Sequence, residues 1–320
     1  MITINEIKAD RGEKIQFELK PCETYSMPAT LIRGSKPGKN VLVCAGTHSS
    51  EYPGIPALIR VAEKLDPMKI HGDLLFIHCV NTSGFKARND SIVPEDEGNL
   101  NRDLPGNVNG TLTQQIAAYF AETILPQMDF CIDLHSGSLH EDLTPCIFFP
   151  KEEKISDEVL SAAKSTDIPY LIASENNGGI IGYAGNILYI PALLLERGGK
   201  GECRPEWVRE YEKDIYRLFT HLGVFGKQNE TEKHKHTVFE EAIYLEADCE
   251  GLWYPNVHPD MTVKSSDLLG HIEDMYGHSL REYKAEKDGI VMYHTISLAI
   301  NRNDPLVTYV IKKNNAITIQ

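Results

Sequence analysis

The sequence predicts an α/β fold with a strand-rich module attached behind it. Three observations carry this expectation. Short apolar runs alternate with helix-period stretches as far as Leu222, a polar unpatterned stretch follows, and short strands and turns take over after that. At 320 residues the chain suits one large domain plus a smaller one.

The elements follow in order. Val41–Cys44, Leu74–Val80, Phe130–Leu134 and Ala192–Leu195 read as buried strands. Between the first two, Ile55, Leu58, Ile59, Ala62 and Leu65 mark one face of a helix. Ile116, Tyr119, Phe120 and Ile124 mark another, with Thr111 or Thr113 as its cap. Pro205 suits the first turn of a helix. Trp207, Val208, Tyr211, Ile215, Leu218, Phe219 and Leu222 form the stripe behind it. Residues 227–236 read as a solvated linker between a domain at 1–226 and a β module at 237–320, and its His234 and His236 have no partner spaced to help them bind a metal. Within the module an offset of 38 residues separates Gly251-Leu252-Trp253 from Gly289-Ile290-Val291, so two similar units are expected.

Composition excludes several classes. The net charge of -14 argues against nucleic acid, which needs clustered Lys and Arg. No apolar run approaches a membrane span, and Met1–Glu6 lacks the basic start and apolar stretch of a secretory signal. Seven cysteines, an odd number with no Cys-x-x-Cys pair, fit a reduced, cytoplasmic setting.

His48, Glu51 and His135 carry the chemistry. Two imidazoles and a carboxylate are the ligand count of a catalytic zinc site, which leaves a fourth position for water. His48 and Glu51 follow the run at Val41–Cys44, and His135 follows Phe130-Cys131-Ile132. In open α/β sheets, ligands gather at such strand ends. Asp133, two residues before His135, is the candidate acceptor for its far nitrogen.

Four ordered stretches resemble the zinc carboxypeptidase superfamily, in its succinylglutamate desuccinylase and aspartoacylase branch. They are Gly46-Thr47-His48-Ser49-Ser50-Glu51-Tyr52-Pro53-Gly54, Asn99-Leu100-Asn101-Arg102-Asp103-Leu104-Pro105-Gly106, Asp133-Leu134-His135-Ser136-Gly137 and Ile190–Gly199. The resemblance implies a mixed central sheet with helices on both faces and a small C-terminal all-β barrel-sandwich module that shapes the entrance to the site. It implies one Zn2+ per chain on His48, Glu51 and His135, with Glu196 as general base and Arg88 as the cation for the oxyanion. Asn101 and Arg102 would grip a substrate carboxylate, and Tyr183 would face the substrate. Asn99 stands where the family has Asp, which puts a neutral amide in place of an anionic partner.

The implied activity is zinc-dependent hydrolysis of the amide bond in a small N-acylated amino acid. Asn186 stands where aspartoacylase-like members carry a second Arg, which favours a monocarboxylate substrate over a dicarboxylate. A zinc carboxypeptidase acting on peptides is the alternative. It would need an open groove, whereas a deacylase would have a closed cavity walled by the module. A non-catalytic small-molecule binding protein and a carrier module modified on Lys284 are readings from other classes. Simple ion pairs, Glu196 with Arg197 and Arg102 with Asp103, are the plain alternatives for those residues. The acyl group, the native metal and any homo-oligomer stay open.

Overall fold

The computed structural model describes residues 1–4, 7–226, 234–311 and 318–319. A ten-stranded mixed sheet forms its centre. Its strands are β1 (Glu13–Cys22), β2 (Tyr25–Arg33), β3 (Lys36–Ala45), β4 (His71–Ile77), β5 (Phe130–His135), β7 (Cys146–Pro150), β8 (Tyr170–Ser174), β9 (Ala192–Glu196), β10 (His236–Phe239) and β19 (Thr318–Ile319). The spatial order is β1-β2-β4-β3-β5-β9-β7-β8-β10-β19. β4, β3, β5 and β9 run parallel, with antiparallel partners on both sides.

Side chains on successive strand residues point to opposite faces, and β3 displays this directly. Val41, Val43 and Ala45 enter one core, and Leu42 and Cys44 enter the other. On the first face lie α1 (Gly54–Lys64), α4 (Ser156–Ala163) and α6 (Pro205–His221), and on the second α3 (Leu112–Tyr119). Helices thus cover both faces. Pro205 sits in the first turn of α6, and Val208, Tyr211, Ile215, Leu218 and Phe219 are all buried. Burial of each such side chain stabilises by about 1.5–3 kcal/mol. Thr111, not Thr113, caps α3 through a capping box with Gln114. Ile59 departs from the expected face and is exposed. Ala57 and Val61 take the inward positions around Leu58.

The C-terminal part is two facing sheets. One holds β15 (Ser279–Lys284), β14 (Leu268–Glu273), β12 (Gly251–Pro255) and β17 (Ala299–Ile300). The other holds β11 (Ala242–Glu246), β18 (Pro305–Ile311), β16 (Gly289–Thr295), β13 (Thr262–Val263) and β6 (Glu141–Leu143). Trp253, Leu269 and Ile272 of the first meet Val291, Val307 and Tyr309 of the second in one core, as in a sandwich. The internal echo has a structural meaning. β12 and β14 of the first unit lie in one sheet, and β16 and β18 of the second lie in the other.

The two parts exchange strands. β10, although it follows residue 226, extends the large sheet beside β8. His236 is therefore buried, with Nδ1 2.9 Å from the Ile168 carbonyl oxygen, and is not a solvated linker residue. Residues 227–233 of the expected linker lie outside the described residues. In the other direction β6, from the loop after β5, pairs with β16 of the module.

Candidate active site

His135 and Glu196 are the last residues of adjacent parallel strands and stand opposite each other in register. His48 and Glu51 lie in the turn between β3 and α1. The strand order β3-β5-β9 brings all four to one edge.

Ligand atoms of His48, Glu51 and His135 lie within 4.8 Å of one another. Glu51 uses both oxygens: Oε1 is 2.7 Å from His48 Nδ1, and Oε2 is 2.9 Å from His135 Nδ1. The Ser136 backbone N–H also donates to Oε2 at 3.0 Å. Each imidazole commits its other nitrogen elsewhere. His135 Nε2 donates to Asp133 Oδ2 at 2.9 Å, which meets the expectation for Asp133. His48 Nε2 donates to Asn99 Oδ1 at 3.1 Å, and that oxygen also accepts the Asn101 N–H. With Nε2 fixed by an acceptor, Nδ1 of each ring is turned to the shared carboxylate. Two Nδ1 atoms and a carboxylate turned to one point form a donor set that fits a divalent metal.

The charges fit as well. Burial alone would push the Glu51 carboxyl up, but the two imidazoles outweigh it and hold the group at about 2. Burial alone would lower the His135 pKa, but Asp133 and Glu51 outweigh it and push it well above the usual imidazole range. Glu196 goes the other way: burial, reinforced by Glu51, raises its carboxyl well above the ordinary range. Its Oε2 is covered and has no hydrogen-bond partner among the described residues.

Glu196 is not paired with Arg197. The Arg197 side chain turns to the opposite side, where Nε meets Asp214 at 2.5 Å and Nη2 meets Asp167. Burial pushes the Asp214 carboxyl up to about 6, although Arg197 pulls against that rise. Successive residues of an extended strand point to opposite faces, which separates the two side chains, and Gly198 turns the chain after them with φ +88°. Behind the strands, the Tyr211 hydroxyl donates to the His135 carbonyl and lies 3.0 Å from that of Leu195. It ties the ends of β5 and β9 together.

The site opens into a cavity of about 930 Å³, whose wall includes His48, Glu51, His135, Glu196, Asn101 and Arg102. Arg102 donates to the Asn101 carbonyl at 2.8 Å and has no carboxylate partner among the described residues, Asp103 included. Two expected residues fall outside the cavity wall. Arg88 ends the short helix α2 (Thr82–Ala87) in a left-handed conformation, and its side chain is exposed. Tyr183 packs against the second core of the sheet. In both cases a position counted along a loop did not fix where the side chain points.

The far wall comes from the module: Tyr244, Glu246, Met292, Tyr293 and Thr308 all line it. Glu141, on the shared strand β6, lines it too. Burial pushes its carboxyl up, against the Ser138 N–H that pulls it down. Sequence reasoning missed these residues because no motif surrounds them, and chain crossings bring them to the site.

Fold and site together define a hydrolase-like α/β domain with a β module lining one wall of the cavity. The chain belongs to the succinylglutamate desuccinylase/aspartoacylase family, whose catalytic-domain model matches residues 37–222. A similar protein is the N-alpha-acetyl-L-2,4-diaminobutyric acid deacetylase of Halomonas elongata, 26% identical over 303 residues, which cover 88% of this chain and 84% of that protein. Among solved structures, the product-bound ectoine utilization protein EutE (DoeB) from Ruegeria pomeroyi superposes with a TM-score of 0.85 at 23% identity, covering 96% of this chain and 98% of that one. A succinylglutamate desuccinylase/aspartoacylase from Rhodobacter sphaeroides gives a TM-score of 0.84 at 23% identity, with 97% and 98% covered. These two likenesses establish the shared fold.

Proposed function

We propose that the protein is a zinc-dependent deacylase that hydrolyses the amide bond of a small N-acylated amino acid. The observation that carries this reading is the grouping of His48, Glu51, His135 and Glu196 at one end of a cavity walled on the other side by the module. A cavity walled by the sheet on one side and the module on the other suits a small substrate better than a peptide, which needs a fully open groove. The Halomonas relative acts, by its name, on an N-acetylated diamino acid, and that compound is the first substrate to test.

The roles divide by chemistry. His48, Glu51 and His135 hold the metal, which when bound supplies Lewis acidity and lowers the pKa of water to roughly 7. Glu196 Oε2 takes a proton from the attacking water and returns it to the leaving nitrogen. A carboxyl with a raised pKa suits both transfers. Arg102 and Asn101 hold the substrate carboxylate, with the planar guanidinium matching its two oxygens. The ends of β3, β5 and β9 supply the chemistry, and the two-sheet module, with β6, excludes water and limits substrate size.

The test uses zinc-loaded protein and N-α-acetyl-2,4-diaminobutyrate beside a panel of other N-acyl amino acids, with free amine as the readout. Amine release should stop on chelation and return with zinc. Stoichiometric zinc with no amine release from any compound would sink the reading. Release of C-terminal residues from peptides would support the carboxypeptidase instead.

A further inference from the structure

We infer that Glu141 is a specificity residue of this chamber, and that the preferred substrate carries a cationic side chain such as a primary ammonium. This rests on the deacylase reading and narrows it.

The first support is the way Glu141 is held. A Cβ at Gly137 would lie 2.6 Å from the Glu141 carbonyl oxygen, and so would a Cβ at Gly199. Both contacts are closer than side chains tolerate. Gly137 lies two residues beyond His135, and Gly199 three beyond Glu196. The Glu141 peptide is thus wedged between the strand ends that deliver a metal ligand and the base. The Lys200 N–H donates to the same carbonyl at 2.8 Å. From the other side, β6 pairs with β16, with Glu141 opposite Thr295. The Glu141 backbone is therefore fixed from two directions.

Charge is the second support. Besides Glu51 and Glu196, the cavity wall carries five glutamates against two cations, Arg102 and Lys151. Lys151 is paired with Glu175 at 2.6 Å. Arg102 is assigned to the substrate carboxylate. Glu141 Oε2 accepts the Ser138 N–H at 3.2 Å and has no salt bridge among the described residues. A divalent ion would offset Glu51 and Glu196 and leave Glu141 without counter-charge. An enclosed carboxylate with no counter-charge is costly, and a ligand ammonium removes that cost.

The third support is independent of the glutamates' number. Glu196 Oε2 is a covered acceptor in the same chamber with no protein partner. Polar groups left open this way mark a space completed by a ligand. A substrate held there has three points of attachment: its amide at the metal ligands, its carboxylate at Arg102 and its side-chain cation at Glu141. A neutral side chain would leave Glu141 unpaired, and an acidic one would be repelled.

Two compounds of equal shape test this: N-α-acetyl-2,4-diaminobutyrate and N-acetylnorvaline, which has a methyl in place of the ammonium. Their binding is measured by calorimetry on zinc-loaded Glu196→Gln protein, where turnover does not interfere. The ammonium compound should bind about 10–100-fold more tightly, the range of a charged hydrogen bond. Adding Glu141→Gln should bring the two within about twofold, and Glu141→Asp should keep part of the preference. In the active enzyme, the kcat/KM ratio of the two compounds should collapse in Glu141→Gln through the KM of the ammonium compound. Equal binding before mutation, a preference that survives Glu141→Gln, or an equal fall in kcat for both compounds would each overturn the assignment. Absence of turnover with a retained binding preference would instead count against the deacylase reading alone.

Discussion

The two sides of the chamber are built by different means. On the sheet side, His48, Glu51, His135 and Glu196 sit at the ends of three neighbouring strands, each beside its own motif. On the module side, Tyr244, Tyr293, Thr308 and Glu141 come together through pairings between distant parts of the chain. On the sheet side each of those four residues follows an apolar strand and sits in a local motif. The module side has meaning only after the whole chain has folded. Chemistry is therefore expected to reside on the first side and selectivity on the second.

The largest effect should come from Glu196→Gln. Loss of the proposed base should lower kcat by about 10²–10⁴-fold with zinc retained. Steady-state kinetics beside metal analysis checks it, and a variant that kept its kcat would erase the division between the sides. Glu141→Gln is the counterpart on the module side, where KM rather than kcat should move.

Within the sheet side the two imidazoles differ, and their difference can be sharpened. His135 leans on a buried carboxylate, Asp133, and His48 on the neutral amide of Asn99. Asp133→Asn should weaken zinc binding by about 10–100-fold. Asn99→Asp should strengthen it, by a smaller factor because Asn99 already accepts well. Competition with a chelator of known affinity reads both changes, and equal effects of the same sign would remove the asymmetry.

The smallest expected effect is on pH dependence. The folded-state pKa of His135 is raised above its ordinary 6.5. In the metal-free protein its contribution to stability is complete below that value and is lost as pH rises through the raised one. Glu51, held at about 2 against an ordinary 4.5, contributes fully above 4.5 and loses that only as pH falls toward 2. Zinc needs neutral imidazole, so its own stabilisation grows with pH. Melting temperatures from pH 6.5 upward should therefore fall with chelator relative to those with zinc. Parallel curves would show that His135 does not titrate as described.

Much of this was legible in the sequence, for physical reasons. A buried strand announces itself as an apolar run, and a candidate ligand at its end needs only that run and a motif. Val41–Cys44 and Phe130–Leu134 therefore located His48 and His135. The helix α6 was legible because its stripe and Pro205 agree. Arg88 and Tyr183 were not, because a loop's length does not set its direction. Glu141 was not, because its neighbours Gly199 and Thr295 are far along the chain. The return of β10 to the large sheet was hidden because its partners are far along the chain and four residues carry little periodicity.

The pairing of β6 with β16 also has a consequence in time. From Glu141, 148 residues must be added before the ribosome reaches Gly289. At roughly 5–20 residues per second, the acidic strand waits several seconds to half a minute for its partner. During that interval the nascent chain can already contain every proposed zinc ligand, yet the pocket that would choose among metabolites does not exist. Discrimination would arrive last in the making of this molecule, well after the capacity to bind metal.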